Sequence, residues 1–296
     1  MPELPEVQTI VNQLKRKIIN KQISKVWSDH RPMVKIPSWH KFNTNIKKTT
    51  IESVQRRGKN IFLALNKKQK NYCLWIHLKM TGHLIYVGNA ISKKQQKALN
   101  KDPYNRYLHF IFYFTDQTKL LFSDLRKFGR LKLFFFPCQK IIQDLKAYNL
   151  DQLGPEPLNP DFDVTRFKQA LKQKSQSQKS IKEILLDQKI IAGIGNIYAS
   201  EILYLSGINP GKKITALRSV DYEKIFQAMR KVLTKAIECR GTSSSDFRDA
   251  FGYPGDYAKH LKVYSKVGQK CDKCGTIIKR IKQGNRSTFF CPKCQT

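Results

Sequence analysis

Two groupings of residues in this chain could do chemistry. The first is the head Met1-Pro2-Glu3-Leu4-Pro5-Glu6-Val7. Proline at position 2 favours removal of Met1, which would leave Pro2 with a terminal secondary amine. Such an amine titrates near ~8, so a usable fraction is neutral at physiological pH. A neutral amine can attack a carbonyl-like carbon and form an iminium, as a catalytic lysine does. Glu3 stands beside it as a proton donor. The same residues also suit an ordinary helix start. Glutamate in a first turn complements the helix dipole. Leu4, Val7, Val11, Leu14 and Ile18 have the spacing of an apolar helical stripe. Taken alone, the head fits both readings.

The second grouping is Cys271-x2-Cys274-x16-Cys291-x2-Cys294. Two CxxC knuckles joined by a hairpin predict a tetrahedral thiolate site for one zinc ion. Four protein ligands leave no open position for water, so the expected zinc is structural. Gly284-Asn285 supplies the hairpin turn, and Arg286 follows it. Residues 259–296 hold ten Lys/Arg against one acid, Asp272. A module that basic is expected to touch phosphates.

Three further segments carry weaker signals. Ala192-Gly193-Ile194-Gly195-Asn196 predicts a tight turn between two helices, with Asn196 as N-cap and free N–H groups at the helix start. A plain helical hairpin fits it equally. Arg56-Arg57-Gly58-Lys59 is a basic turn before an apolar strand, and such a turn is commonly just solvated. In Asp124-Leu125-Arg126-Lys127-Phe128-Gly129 a cation and an aromatic lie two apart, on one side of an extended chain. Arginine and apolar wedges inserted into a duplex distort it; read alone, Phe128 is a core residue.

The elements that must position these groups are of two kinds. The first helix is expected to end near Ile18. Residues 23–135 then read largely as short aromatic strands with polar turns, one at Asp116-Gln117, which argues for a sandwich or barrel. Residues 89–103 are polar and Lys-rich and read as a loop. From Leu153 the pattern becomes helical, at 164–172, 181–190, 196–205 and 222–239, with a polar loop at 174–180. The expected architecture is α+β and multidomain. An N-terminal β-sandwich with flanking helices spans 1–137, a linker 138–152, a helical helix-two-turn-helix domain 153–262, and a four-cysteine zinc finger 263–296.

Composition sets the partner class. The 296 residues include 55 Lys+Arg against 22 Asp+Glu, a formal net charge of +33. That excess implies a polyanion, most simply nucleic acid. No apolar run approaches the ~20 residues of a membrane span, and no signal peptide is legible. Four of the seven cysteines are clustered, which suits a reducing cytoplasm and a metal site better than disulfides.

In order along the whole chain, MPELPEV (1–7), RRGK (56–59), HLKMTG (77–82), DLRKFG (124–129), LGPEPL (153–158), GIGNIYASE (193–201) and NRSTFFCPKCQ (285–295) resemble the bacterial formamidopyrimidine-DNA glycosylases. The resemblance implies a monomeric, cytoplasmic repair enzyme acting on damaged double-stranded DNA. It would remove oxidised purines, 8-oxoguanine and formamidopyrimidines, then cut the abasic strand by β,δ-elimination. It implies Pro2 as the Schiff-base nucleophile, Glu3 as general acid and Glu6 as its support. It implies Lys59 and Arg286 as phosphate contacts assisting β- and δ-elimination respectively. His77 and Asn196 would bind the backbone, and Met80, Arg126 and Phe128 would fill the gap left by the flipped nucleotide. A DNA-contacting histidine of the family falls on Tyr107, with His109 retained nearby. The family's loop lysine falls among Lys174, Lys179 and Lys182, and Lys182 is taken for it. Departures are Lys79 where glycine is usual, Ser265-Lys266 where Gly-Arg is usual, and an undiagnostic loop at 241–257. The alternatives are the sister family acting on oxidised pyrimidines and a non-catalytic lesion-binding protein.

Overall fold

The computed structural model describes residues 1–296 except 69, 137–149, 173–177 and 244–245. The expected linker at 138–152 and Lys174 lie mostly or wholly outside the described residues. The chain divides into two compact units, Met1–Asp151 with Cys239–Ala258, and Gln152–Glu238 with Lys259–Thr296. Among the described residues no helix is long and apolar enough to cross a membrane.

The first unit begins with helix α1 (Leu4–Ile18), entered through a reciprocal capping box between Glu3 and Glu6. Its stripe Val7, Ile10, Val11, Leu14 and Ile18 is fully buried, so the helical spacing does serve the core. Strands β1 (Ile23–Ser28) and β2 (Val34–Ile36), helix α2 (Trp39–Ile46), strands β3 (Thr50–Arg57), β4 (Asn60–Lys67), β5 (Lys70–His77) and β6 (Gly82–Val87) follow. Helix α3 (Lys93–Lys101) and strands β7 (Leu108–Phe114), β8 (Lys119–Asp124) and β9 (Arg130–Phe136) complete it. One sheet runs β1-β7-β8-β6 and the other β2-β9-β5-β4-β3. Their facing side chains, including Phe110, Phe112 and Phe122 from one and Ile61, Leu74 and Leu131 from the other, share one apolar core. Alternation along each strand assigns one face to that core.

Two features differ from the sequence expectation. Part of the 89–103 loop is helix α3, because Ser92 caps it by accepting the Gln95 N–H at 3.1 Å and the following residues are good helix formers. Residues 239–258, expected within the helical domain, pack instead with the first unit. The Tyr86 N–H donates to the Ala250 carbonyl at 2.8 Å, and Arg248 Nε donates to Asp102 at 2.7 Å.

The second unit holds helices α4 (Val164–Lys172), α5 (Ile181–Leu186), α6 (Asn196–Ser206) and α7 (Ser219–Glu238), then hairpin strands β10 (Lys279–Gln283) and β11 (Arg286–Phe290). Helix α6 ends on Gly207 in the left-handed conformation at φ 73°, the conformation in which glycine carries no Cβ penalty. The cysteine module belongs to this unit. The buried Glu201 carboxylate of α6 accepts the N–H groups of Lys262, Val263 and Tyr264 at 2.8, 3.0 and 2.9 Å.

Candidate active site and nucleic-acid interface

Within the first unit, Pro2 and Glu3 are buried at the start of α1, Glu3 only 3% exposed. Behind them Glu6 is fixed from two sides. Its Oε2 accepts the Glu3 N–H at 2.8 Å, and its Oε1 accepts the Thr242 N–H at 2.7 Å. A Cβ on Gly241 would stand 2.8 Å from Glu6 Oε1, so the 241–242 backbone closes on Glu6 because residue 241 has no side chain. The head is therefore a rigid cap, with a prospective amine and a carboxylate at consecutive positions.

Lys59 sits at the β3–β4 turn beside Gly58, whose φ is 56°. The turn is braced by Arg56, which donates to Gln8 Oε1 at 2.7 Å and to the Gly58 carbonyl at 2.8 Å. Arg56 is thus structural rather than merely solvated. His77 ends β5, and its Nδ1 accepts the Lys79 N–H at 2.9 Å. Burial first, then the charges of Lys79, Lys59 and Arg130, push its pKa down to about 3. The ring is neutral near pH 7, and its hydrogen is on Nε2.

Met80 and Phe128 project from two turns, 39% and 48% exposed. Phe128 is therefore not a core residue. The Arg126 guanidinium lies over its ring at 4.8 Å. Both turns are tied to one buried carboxylate. Asp124 Oδ2 accepts the Gly129 N–H at 2.7 Å, and Oδ1 accepts the Thr81 hydroxyl. The Arg126 N–H donates to Thr81 Oγ1 at 3.1 Å. A Cβ on Gly129 would meet Phe122 Cζ at 2.5 Å, so the second turn requires glycine there. Thr81 and Asp124 were missed in the sequence. Their signal was their place inside the very motifs that carry the wedge residues.

Tyr107 is half-buried beside Arg106, whose guanidinium lies 5.6 Å from its ring. His109 is not presented at the surface. It is 7% exposed, with Nδ1 2.9 and 3.1 Å from the Asp29 carboxylate oxygens. On β7 it alternates with the core residues Phe110 and Phe112, and among the described residues its buried Nε2 has no hydrogen-bond partner.

In the second unit, Gly284 and Asn285 take positive φ of 51° and 61°, the signature of a two-residue hairpin turn. Arg286 follows, exposed, opposite Gln283 in the β10–β11 register. Two residues expected at DNA, Lys182 and Asn196, bond to this hairpin. Lys182 is 1% exposed, and its ammonium donates to Thr288 Oγ1 at 2.7 Å and the Ser287 carbonyl at 3.1 Å. A buried ammonium must find such acceptors, so Lys182 is not a surface phosphate contact. Asn196 Nδ2 donates to the same Ser287 carbonyl at 3.0 Å. The N-cap of α6 is Gly195 rather than Asn196.

The sulfurs of Cys271, Cys274, Cys291 and Cys294 lie within 4.8 Å of one another. The Cys271–Cys294 and Cys274–Cys291 separations are 3.9 and 3.5 Å. A tetrahedron with Zn–S bonds of ~2.3 Å has edges of about 3.8 Å, so the four sulfurs fit one zinc ion as a closed structural site. The Tyr204 hydroxyl lies 3.3 Å from Cys271 Sγ, an outer contact of the kind that orients ligands.

Comparison with known proteins finds similarity along the whole chain. Three family models match: the formamidopyrimidine-DNA glycosylase N-terminal domain over residues 1–131, the formamidopyrimidine-DNA glycosylase H2TH domain over 153–248, and the zinc finger found in FPG and IleRS over 268–296. The formamidopyrimidine-DNA glycosylase of Carboxydothermus hydrogenoformans is 37% identical over 295 residues, covering 100% of both chains. The Lactococcus lactis Fpg in complex with abasic-site DNA is 31% identical with a TM-score of 0.83, covering 99% of both chains. The same enzyme in complex with DNA containing an oxidised pyrimidine gives 31% and 0.83 over 100% of both. The chain belongs to the formamidopyrimidine-DNA glycosylase family.

Proposed function

We propose that this protein is a base-excision repair DNA glycosylase and abasic-site lyase acting on oxidised purines in duplex DNA. Once Met1 is removed, the Pro2 amine attacks C1′ of the damaged nucleotide. The C1′–N bond to the base breaks, and the departing base or the ring oxygen of the sugar takes a proton from Glu3. The amine proton is lost, the C1′–O4′ bond breaks and O4′ leaves protonated, which opens the sugar and gives the iminium between Pro2 and C1′. Abstraction of a proton from C2′ expels the 3′ phosphate, and a second elimination expels the 5′ phosphate. Lys59 in the first unit and Arg286 in the second contact phosphates through these steps. Glu6 positions the head without touching the nucleotide. C1′ is shielded in a stacked duplex, so the nucleotide must be flipped out. Met80, Arg126 and Phe128 are the residues to occupy the space it leaves. The zinc, held by the four cysteines, shapes the Arg286 hairpin and takes no part in the chemistry. We infer a monomeric cytoplasmic enzyme, a reading supported by the bacterial relatives and the proposed chromosomal DNA substrate.

The observation that carries this reading is the buried Pro2-Glu3 head locked by Glu6, which sets a prospective amine and a carboxylate at adjacent positions. The test is excision and strand cleavage on duplexes containing 8-oxoguanine, a formamidopyrimidine or an oxidised pyrimidine, each with borohydride present. A trapped covalent complex on the purine lesions is expected. The Lactococcus lactis complex with an oxidised pyrimidine makes the third duplex the informative competitor. Faster turnover there would reassign the substrate. Binding with no cleavage of any duplex would favour a non-catalytic lesion-binding protein.

A further inference from the structure

One strip of the first unit carries more positive charge than the proposed chemistry uses. On β5 and β9, His77 lies opposite Arg130 and Trp75 opposite Lys132. Trp75 and His77 point to the side of the sheet away from the main core, because Leu74 and Ile76 fill that core. By the same alternation Arg130 and Lys132 share their face, since Leu131 and Leu133 are core. The Lys132 ammonium sits over the Trp75 ring at 5.0 Å, and the Trp75 and His77 rings are 6.0 Å apart. Lys79 follows His77 and is anchored to it by the backbone bond to Nδ1. Lys79 also has φ 57°, a left-handed conformation unfavourable for a side chain other than glycine, asparagine or aspartate.

These cations repel one another, and among the described residues they have no acidic partner. Burial, Arg130 and then Lys132 lower the Lys79 pKa. Among the described residues no ion pair engages Lys79, Arg130 or Lys132. Arg130 and Lys132 are spaced by about 6.6 Å along the strand, two residues apart, so the charge forms a track and not a single point. A repulsive, unneutralised row beside a strained lysine costs stability in the free protein and is relieved by a polyanion.

We propose that Lys79, Arg130 and Lys132 form a phosphate track. It extends the DNA contact beyond Lys59 and His77 to further backbone phosphates of the bound duplex. This rests on the reading of the protein as a DNA enzyme. The track contributes affinity and salt dependence without reading sequence, because phosphate contacts position rather than specify. Lys132 reaches its phosphate from a stem laid on Trp75, which limits the rotamer freedom it loses on binding.

The test is the salt dependence of duplex binding by the zinc-loaded full chain. Lys79→Gly suits the native backbone at that position, and Arg130→Gln and Lys132→Gln keep side-chain bulk. Each single variant should make the plot of log binding constant against log salt shallower by about 0.9, and the triple variant by about 2 to 3. A control triple on α1 and β1, Lys15→Gln, Lys17→Gln and Lys25→Gln, should leave the slope unchanged. Independently of any variant, methylphosphonate substitution scanned one phosphate at a time through the duplex should weaken the wild type at specific positions. At two or three of those positions it should have no further effect on the triple variant. Equal slopes for wild type and triple variant, or the same slope loss in the control, would overturn the track. So would methylphosphonate effects in the triple variant identical to those of wild type. Borohydride trapping reports separately on the enzyme. Trapping without a slope change removes the track alone. A slope change without trapping keeps the track and removes the enzyme reading.

Discussion

At the scale of single residues, the head divides its labour between adjacent groups. Glu3→Gln should abolish excision of 8-oxoguanine while retaining part of the cleavage of a preformed abasic site, since opening an abasic sugar needs less acid assistance than expelling a base. Rates measured on both substrates check this, and equal loss on both would contradict it. Two histidines give the fold a pH signature. Burial pushes the His77 pKa down to about 3 and that of His83 to about 4. In the unfolded chain both titrate near ~6.5. Between those values the unfolded chain binds more protons than the native one, so stability rises with pH there and is complete above ~6.5. Thermal melts should therefore show a falling Tm as pH drops from 7 towards 4, and His83→Gln should flatten that dependence. A Tm independent of pH over this range would show that the rings are not held neutral. At this scale the sequence was most legible where chemistry dictates residue type, as with Pro2, Glu3 and the four cysteines. It was least legible for residues acting through others. Nothing in the types of Thr81 and Asp124 separates them from ordinary turn residues until their hydrogen bonds are known.

At the scale of elements, the two wedge turns behave as a pair because Thr81 and Asp124 join them. Alanine at Met80, Arg126 or Phe128 should weaken binding to a lesion duplex by ~1–2 kcal/mol each, a fraction of the few kcal/mol that unstacking costs. The same variants should lose less on an abasic single strand, which has no stack to replace. Comparable losses on both ligands would make these residues supports of the fold. The zinc hairpin gives a second test. Chelation should disorder Arg286 and reduce DNA affinity while the first unit keeps its thermal transition, because a module this small depends on metal for its shape. Arg286→Ala with zinc bound should reproduce much of that loss and lower the salt slope by about one phosphate. Full binding after verified zinc removal would contradict this. Lys182→Met should produce a milder version of the same defect by freeing Ser287 and Thr288. Periodicity foretold α1, whose stripe is buried, and short aromatic runs between polar turns foretold the strand-rich stretch 23–135. Periodicity missed α3, whose only apolar residues are Ala98 and Leu99 and which is held to β6 through Gln95, whose amide donates to the Tyr86 carbonyl at 2.9 Å.

At the scale of the whole molecule, chain order and spatial order part company at residues 239–258. That segment returns to the first unit to fix Glu6 through Thr242 and Gln13 through Asp249. A local sequence pattern cannot register pairings across more than two hundred residues, which is why the expected boundary ran straight through. The central claim, however, concerns one atom: the nitrogen of Pro2. The most direct measurement is to trap the protein on an 8-oxoguanine duplex with borohydride, digest the adduct and locate the sugar remnant by mass spectrometry. The account predicts a remnant confined to an N-terminal peptide that begins at Pro2, with trapping abolished, and duplex binding retained, when the terminus is acylated or Met1 is kept. A remnant on Lys59 or any other amine, or undiminished trapping by the Met-extended protein, would contradict it.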